Sequence, residues 1–501
     1  MKSLRVCAWP CPLSWPCALP LLLFVSMAGG CGGGSSSMSM PSNGMGTIVV
    51  SVSDPPSCKN PNGSFEHVYI TVRSVEAHVD PNATDSSSGW QELAPQLRNQ
   101  PMQIDLFSAA ETNCILAQLG SASLPAGSYQ QIRVLLGSNA PGASDAVPSN
   151  NACAGHGYNC VVLNDGSAHE LQLSSQANTG LKIPPGQIVG GPIQVSAGQS
   201  VDVNIDFNAC ASIVEEGNGR FRLKPTLSAG QVSPNNSGIG GQVVDSLSKA
   251  PIVGTVLVAA EMPDSTGIDR IVMETAADSN GNFRFCPLPP GTFDIVIVAI
   301  GPNNLPYNAT SVVNVPNGTN LNTIPLVAEA GASSPAVLMG VVTASTSSGG
   351  ASVDVSLSAL QGISFNSGMP ANRQLTIPLE SIPATPTTPA IASTGLISIS
   401  TSTACPVGSP ANANCSSYTL LVPGSNPSVA VFSASGFSYA APAPGSVFFT
   451  VDAIAALPMS GGLPDCSPAE LTTAKDANNQ PLQVTASATT DVARIDFAGC
   501  S

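Results

Sequence analysis

Short runs in which apolar and polar residues alternate recur along the whole chain, separated by glycine, proline and asparagine. The clearest run is Val201–Phe207, in which the odd-numbered residues are apolar and the even-numbered residues Asp202, Asn204 and Asp206 are polar. A period of two is typical of a strand with one buried face and one solvated face. Helical spacing of Glu, Lys, Arg and Leu does not recur, and only 9% of the residues are charged. We therefore expect an all-β protein, whose 501 residues form a string of two to three β-sandwich domains.

The charge of the chain restricts its partners. The formal net charge is −15, and Lys and Arg occur singly, without a basic tract. Proteins bind nucleic acids through many Lys and Arg contacts to phosphates. The composition therefore argues against a nucleic acid as the partner.

The amino terminus has the order of an export signal. Lys2 and Arg5 give it a basic start, Ala18–Met27 is apolar, and small residues precede Cys31. The apolar stretch is about half of the ~20 residues that a membrane-spanning helix needs. We therefore expect residues 1–30 to be a cleaved signal peptide.

The segment Ser26–Cys31 (Ser-Met-Ala-Gly-Gly-Cys) resembles the lipobox of bacterial lipoproteins. The resemblance implies that Cys31 is lipidated and anchors the protein to the cell envelope, with residues 31–45 as a flexible Gly/Ser tether. Gly32 stands where some lipoproteins carry the Asp that retains them at the inner membrane, so the outer membrane is favoured. Because Ala28 replaces the usual leucine, ordinary signal cleavage near the same point remains an alternative.

The cysteines also indicate export. Of 14 cysteines, three lie in the predicted signal peptide and Cys31 is the lipidation candidate, which leaves an even number for disulfides in an oxidising compartment. Their spacing does not match a zinc site, and no metal or other cofactor is expected. Proximity in the sequence favours three pairs: Cys153 with Cys160, Cys405 with Cys415, and Cys466 with Cys500.

Residues 46–230 form the first predicted domain. Three motifs occur in order: Ser123–Arg133 (Ser-Leu-Pro-Ala-Gly-Ser-Tyr-Gln-Gln-Ile-Arg), Thr179–Lys182 (Thr-Gly-Leu-Lys) and Gly217–Pro225 (Gly-Asn-Gly-Arg-Phe-Arg-Leu-Lys-Pro). Together they resemble the bacterial lipoprotein family known as domain of unknown function 4382. The resemblance implies a lipid-anchored envelope protein with a β-sandwich domain, and it implies no activity.

Near the end of this domain, Arg220, Arg222 and Lys224 alternate with Phe221 and Leu223, which places the three cations on one solvated strand face. The favoured interpretation is that these cations pair across strands with the carboxylates of Val201–Phe207. The alternative is a patch that binds an anionic ligand such as an acidic glycan.

Residues 237–327 form the second predicted domain. Motifs at residues 239–245, 250–256, 278–283 and 288–296 are similar to the carboxypeptidase regulatory-like module, which implies a small transthyretin-like β-sandwich with a carbohydrate-binding-like fold and no catalysis. Asp278, Asn280 and Asn282 have the spacing that begins a calcium-binding EF-hand loop, but the later ligands of that loop are absent. A hairpin turn with Asn-Gly at its tip is the favoured interpretation. Residues 335–501 form a third, β-rich domain.

No catalytic site is recognisable. All four histidines lie in the first domain without a Ser-His-Asp pattern, and the exposed loop position of His156 is typical of a solvated histidine. Asp202 and Asp206 share a strand face about 13 Å apart, which is too far for the carboxylate pair of a glycosidase. We expect a non-enzymatic envelope lipoprotein that binds a glycan or another extracellular polymer. The alternatives are a structural lipoprotein that docks a protein partner and a polysaccharide hydrolase with its site in the carboxyl-terminal region.

Overall fold

The computed structural model describes residues 44–53, 65–84, 86–108, 115–140, 146–173, 180–183, 187–207, 209–216, 220–223, 227–232, 238–264, 266–351, 353–363, 373–379, 396–399, 405–433, 436–440, 442, 445–456 and 466–500. The predicted signal peptide, Cys31 and the tether up to residue 43 lie outside these residues, as does Lys224.

The protein is all-β. The helical elements among the described residues are short: α1 (Ala209–Ser212) is one turn, and Pro95–Arg98 and Pro302–Asn304 are 3-10 turns. In the described part of the chain, no helix has the length and apolar character needed to cross a membrane.

The described residues of the first region form sixteen strands around one hydrophobic core. They are β1 (Met45–Ser53), β2 (Phe65–His78), β3 (Gln91–Glu92), β4 (Met102–Asp105), β5 (Ala117–Pro125), β6 (Gly127–Tyr129), β7 (Gln131–Leu136), β8 (Cys160–Leu163), β9 (Ala168–Leu173), β10 (Leu181–Ile183), β11 (Ile188–Val189), β12 (Ile193–Val195), β13 (Ser200–Phe207), β14 (Ile213–Glu216), β15 (Arg220–Leu223) and β16 (Leu227–Gln231). A five-stranded sheet has the order β11-β16-β13-β1-β5. A nine-stranded sheet has the order β10-β7-β2-β8-β9-β15-β14, with β3 and β4 also paired to β2, and β12 pairs with β6 separately. Both larger sheets contribute to the core, as a β-sandwich requires.

Strand β13 confirms the predicted burial of its apolar face but not the predicted solvation of its polar face. The apolar residues Val201, Val203, Ile205 and Phe207 are buried in the core. Asn204 and Asp206 are buried as well, so the expectation that they face water is wrong. The physical reason is that the Ser53 hydroxyl of the neighbouring strand β1 accepts a hydrogen bond from Asn204 Nδ2 (2.7 Å) and donates one to Asp206 Oδ1 (3.0 Å).

The predicted ion pairs between β13 and β15 do not form across neighbouring strands. Strand β13 pairs with β1 and β16 in the five-stranded sheet, whereas β15 pairs with β9 and β14 in the other sheet. The alternation of β15 itself is as expected, since Phe221 and Leu223 are buried and Arg220 is exposed.

The second and third regions share a sheet and are buried in two hydrophobic clusters, of which the one built mainly from the third region also includes Val296, Ala309 and Val313 of the second. The second region contains β17 (Ile239–Asp245), β18 (Thr255–Pro263), β19 (Ile268–Ala276), β20 (Asn282–Phe285), β21 (Thr292–Ile300), β22 (Thr310–Pro316) and β23 (Asn320–Leu326). The third contains β24 (Ala336–Ser345), β25 (Val353–Ile363), β26 (Arg373–Ile377), β27 (Leu396–Ile399), β28 (Asn414–Val422), β29 (Ser428–Val431), β30 (Val447–Ala456), β31 (Glu470–Thr473), β32 (Gln483–Val484), β33 (Thr489–Asp491) and β34 (Ile495–Ala498).

An eleven-stranded sheet, whose main order is β29-β22-β21-β18-β19-β26-β25-β30-β31, runs through both regions. Parallel pairing of β19 with β26 and of β22 with β29 makes the two connections. The segments expected as separate domains at residues 237–327 and 335–501 are therefore continuous in their hydrogen bonding. Two smaller sheets complete them, β20-β17-β23 and a four-stranded sheet formed by β24, β28, β33 and β34.

Charged side chains reinforce this junction. The Arg270 guanidinium of β19 contacts the carboxylates of Asp452 on β30 and Glu470 on β31. Arg373 of β26 lies 2.9 Å from Asp269 and 2.8 Å from Asp294, two carboxylates of the second region that are almost fully buried. The junction between the two regions therefore contains ion pairs that are shielded from water.

Disulfides connect cysteines within the first and within the third region. They join Cys153 to Cys160, Cys405 to Cys415 and Cys466 to Cys500, the three pairs that sequence proximity favours. Cys286 is disulfide-bonded too.

The turn at Asp278 is present but does not close a hairpin. The Asp278 carboxylate accepts hydrogen bonds from the backbone N–H groups of Asn280 (2.9 Å) and Asn282 (2.8 Å). Strand β20 after the turn pairs with β17 and not with β19 before it, so the turn connects two sheets. The predicted turn with Asn-Gly at its tip is confirmed, because backbone hydrogen bonds from Gly281 N–H to the Asp278 carbonyl and from Asp278 N–H to the Asn282 carbonyl close it (both 2.8 Å), but the strands that flank it do not pair as a hairpin.

Candidate ligand-binding groove

The longest strand of the first region, β2, contains a β-bulge. Its pairing with β7 shifts between Val72, opposite Leu136, and Ser74, opposite Leu135, so Arg73 has no cross-strand partner on β7. The core-facing residues change phase at the same point, from Val68, Ile70 and Val72 to Val75 and Ala77. Two successive polar residues, Arg73 and Ser74, therefore leave the core side of the strand. Bulges re-aim side chains in this way and are common next to functional sites.

On its other side, β2 is also incompletely paired at this position. Strand β4 pairs with β2 as far as Val72, and β3 begins its pairing at Glu76. The chain between β3 and β4 leaves the sheet as the 3-10 turn Pro95–Arg98. These interruptions leave space beside Arg73 on the outer face of the sheet.

That space is a cavity of about 310 Å³, which we call the Arg73 cavity. It is lined by Thr71, Arg73, Ser74, Glu76, Arg98, Pro101, Leu135, Gly137, Ser138, Ala146, Pro148 and Tyr158. The lining combines apolar surface with a small number of hydroxyl and charged groups, which is the usual composition of a small-molecule site.

A second cavity of about 300 Å³ adjoins the first, since both are lined by Glu76 and Arg98. We call it the Trp90 cavity. Its remaining lining residues are Ser87, Gly89, Trp90, Glu92 and Arg133. The two cavities together are called the β2 groove below.

Cross-strand pairing fixes the charged groups of the Trp90 cavity. Glu76 lies directly opposite Arg133 of β7, and its carboxylate is 2.6 Å from the Arg133 guanidinium. The same guanidinium stacks over the Trp90 ring, with Cζ 4.1 Å from the ring centroid. Trp90 is held in turn by a hydrogen bond from its indole N–H to the Thr84 carbonyl (3.0 Å). Both side chains are therefore oriented before any ligand arrives.

The groove as a whole carries an excess of positive charge. Its lining contains three arginines and two glutamates, and the second glutamate, Glu92, forms an ion pair with Arg98. In a chain with a net charge of −15, this local excess is unusual. An anion would meet a more favourable potential here than over most of the protein surface.

The residues singled out by the sequence lie elsewhere in the first region. Arg220 and Arg222 are on β15 and do not line the groove, and Lys224 is outside the described residues. His156 is exposed in the loop closed by the Cys153–Cys160 disulfide. Among the described residues, no group of three or more His, Cys, Asp and Glu side chains is arranged to hold a metal ion.

Sequence reasoning missed the β2 groove, although one signal for it exists. The strand reads Val68-Tyr-Ile-Thr-Val-Arg-Ser-Val-Glu-Ala77, in which apolar residues occupy even positions up to Val72 and odd positions from Val75 onward. Such a phase change within one strand indicates a bulge.

The segment that contains the groove is similar to one known protein family. No protein of curated function matches the chain. Among solved structures, the Bacillus anthracis TIE protein is 8% identical, with a TM-score of 0.15, and the match covers 91% of this chain and 50% of that protein. The chain therefore spans about half the length of that protein. The shaft pilin spaA of Lactobacillus rhamnosus GG is 9% identical, with a TM-score of 0.16, and the match covers 57% of this chain and 98% of the pilin. TM-scores this low carry no functional argument. The family model described as "Domain of unknown function (DUF4382)" matches residues 45–225, and the residues that line the β2 groove lie within this matched segment.

Proposed function

We propose that this protein is a non-enzymatic binding module of the bacterial cell envelope that binds a glycan in the β2 groove. The observation that carries the proposal is the pair of adjoining cavities, each of about 300 Å³ and lined by oriented arginine, glutamate and aromatic side chains. Sugars present hydroxyl groups that both donate and accept hydrogen bonds. The alternating guanidinium and carboxylate groups of the groove match that chemistry.

Export and anchoring are part of the same proposal. The disulfides Cys153–Cys160, Cys405–Cys415 and Cys466–Cys500 are of the kind that persists outside the cytosol. Combined with the lipobox-like segment at Ser26–Cys31, they support a lipoprotein anchored through Cys31, with the outer membrane favoured. Residues 31–45 would then tether the first domain to the membrane, and residues 237–327, which are similar to the carboxypeptidase regulatory-like module, and residues 335–501 would follow it along the chain.

A binding role fits the glutamates of the groove better than hydrolysis does. Glu76 and Glu92 lie opposite each other on neighbouring strands. Side chains in such a cross-strand pair are close enough for two carboxylates to act on a glycosidic bond. Each, however, is engaged by its own arginine, Glu76 by Arg133 and Glu92 by Arg98. Glycoside hydrolysis requires one of the two groups as a protonated acid.

The position of the tryptophans gives a direct test. The chain has three tryptophans, Trp9, Trp15 and Trp90, and the first two lie in the predicted signal peptide. The indole emission of the processed protein therefore comes from the groove alone. We expect a glycan array to identify a binding sugar, and titration with that sugar to change the Trp90 emission.

Variants connect the signal to the site. Glu76→Gln removes the carboxylate between the two cavities and should weaken binding at least about 10-fold, whereas the triple variant Arg220→Ala, Arg222→Ala, Lys224→Ala should leave it unchanged if the groove is the site. Loss of binding only in the triple variant would transfer the proposal to that patch. Absence of sugar binding together with a specific co-purified envelope protein would favour the structural alternative, and release of sugar products would favour a hydrolase.

A further inference from the structure

We propose that the glycan bound by this protein is acidic, and that Arg73 is the residue that selects it by binding the carboxylate of a uronic or sialic acid residue in the Arg73 cavity. The inference rests on the proposed glycan-binding function and specifies the class of sugar.

The three arginines of the groove differ in their ion pairing. Arg133 is paired with Glu76, and Arg98 is paired with Glu92. Arg73 forms no ion pair with any described residue, and its buried Nε has no hydrogen-bond acceptor among them. A ligand in the cavity therefore meets a guanidinium whose charge is not balanced by any described carboxylate, and it reaches this group from the side that lines the cavity.

The nearest carboxylate in the cavity is already engaged. One oxygen of Glu76 accepts the hydrogen bond of the Ser74 hydroxyl (3.2 Å), and the other accepts that of Arg133 (2.7 Å). Within the described residues, Glu76 therefore does not serve as the counter-ion of Arg73. The cavity keeps one uncompensated guanidinium.

The group that best complements the Arg73 guanidinium is a carboxylate. Guanidinium is planar and presents its N–H groups as a fork that matches the two oxygens of a carboxylate. The β-bulge leaves Arg73 without a cross-strand neighbour on β7, so its outer side faces the cavity of about 310 Å³. That volume accommodates a single sugar ring with its carboxylate, while the adjoining Trp90 cavity takes the next part of the chain.

The test compares acidic sugars with their neutral counterparts. The probes are oligogalacturonate and sialyllactose, each alongside its carboxyl-reduced form, titrated against the full processed chain by Trp90 fluorescence and calorimetry. For at least one acidic probe, we expect the wild type to bind the acid about 10-fold or more tightly than the reduced form. Arg73→Gln should abolish this preference, and Arg73→Lys should restore part of it.

Arg220→Gln is the matched control, because it removes the same charge from an exposed site of the same domain. It should preserve the preference. Equal affinity of the wild type for acidic and reduced sugars, or a preference that survives Arg73→Gln in a protein with unchanged thermal unfolding, would overturn the inference. Binding of neutral glycans alone would leave the proposed function standing while refuting the role of Arg73, whereas absence of all glycan binding would refute the proposed function itself.

Discussion

Glycine and aspartate at the turn Asp278–Asn282 show how single residues fix a local structure without a metal. Gly281 has a φ of +77°, a conformation that side chains with a Cβ adopt at a cost. A Cβ at this position would lie 2.2 Å from the Val243 carbonyl oxygen. Together with the two backbone hydrogen bonds of Asp278, this close approach explains why the sequence reads Asp-Ser-Asn-Gly-Asn here.

Gly281→Ala should therefore destabilise the protein by about 3 kcal/mol, since backbone strain adds to the clash with Val243. Gly267→Ala is the matched control: Gly267 has a φ of +88°, but a Cβ there would meet no other atom within 4 Å, so the substitution should cost only about 1 kcal/mol. Urea denaturation of both variants measures the difference. Equal losses of stability would show that the contact with Val243 has no effect.

The sequence around Arg73 predicts the β-bulge but not the missing counter-ion of Arg73. The phase change between Val72 and Val75 is visible in the printed residues and predicts the bulge. The sequence does not reveal that Arg73 lacks a counter-ion. This depends on the pairing of Arg133 with Glu76 and of Arg98 with Glu92, which only the folded structure shows. Alternation reveals which face a side chain occupies, but not which neighbours have already satisfied one another.

At the scale of strands, the junction between β19 and β30 depends on one cation. Arg270 contacts Asp264, Asp452 and Glu470, and Asp452 is only 1% exposed. Burial raises the pKa of Asp452 to about 6 even though the charge of Arg270 opposes the shift. Without Arg270, a carboxylate would be left in a buried position with no cation beside it.

We expect Arg270→Ala to reduce the free energy of unfolding by about 3 kcal/mol or more at pH 8, because the loss of one partner leaves a buried charge uncompensated. Below pH 6 the loss should be smaller, since Asp452 can then become neutral. Arg494→Ala provides the control: its ion pair with Asp496 is more exposed, and its loss should cost less than about 1 kcal/mol. Calorimetry at the two pH values would contradict the interpretation if both variants lost the same stability.

The prediction of individual strands succeeded where burial follows directly from alternation. Phe221 and Leu223 of β15 and the apolar residues of β13 lie inside, as their period of two indicates. The prediction failed for Asn204 and Asp206, because alternation distinguishes two faces of a strand without revealing that both are covered. Polar residues can occupy a covered face when a neighbour such as Ser53 satisfies their hydrogen bonds.

At the scale of the whole molecule, buried carboxyl groups determine how stability depends on pH. Burial raises the pKa of Asp206 to about 7, that of Glu274 to about 8 and that of Glu329 to about 7. A group whose pKa is higher in the folded than in the unfolded chain binds more protons when folded. The stability it contributes is fully present below its unfolded pKa and is lost as the pH rises through its folded pKa.

The melting temperature should therefore be higher at pH 5 than at pH 8.5, with most of the decrease between pH 6 and pH 8. Asp206→Asn keeps an acceptor for the Ser53 hydroxyl while removing the ionisable group, so it should flatten this decrease. Asp496→Asn is the control, because the pKa of Asp496 is lowered and its titration affects stability only in more acidic solution. A melting temperature that is constant from pH 5 to pH 8.5 would contradict the assignment.

The relation between the second and third regions was beyond the sequence. Most of the buried residues of each region lie in a cluster of their own, but Val296, Ala309 and Val313 of the second region belong to the cluster of the third, and β19 pairs with β26 across more than 100 residues of chain. Pairing between distant edge strands depends on which edges remain open after each region has folded, and no local pattern records that. The all-β class, in contrast, followed from composition and alternation alone.

The place of β1 in its sheet has a mechanical consequence. This strand follows the predicted anchor and lies between β13 and β5, with seven residues in parallel register with β13, from Thr47 to Ser53. If the protein is anchored through Cys31 and binds a polymer as proposed, a pull on that polymer would enter the fold through Met45 and act along the strand. The hydrogen bonds that β1 makes with β13 and β5 would then be loaded in shear and would have to break almost together, whereas those of an edge strand can break one at a time. The inner position of β1 would thus give the proposed anchor a mechanically resistant attachment point.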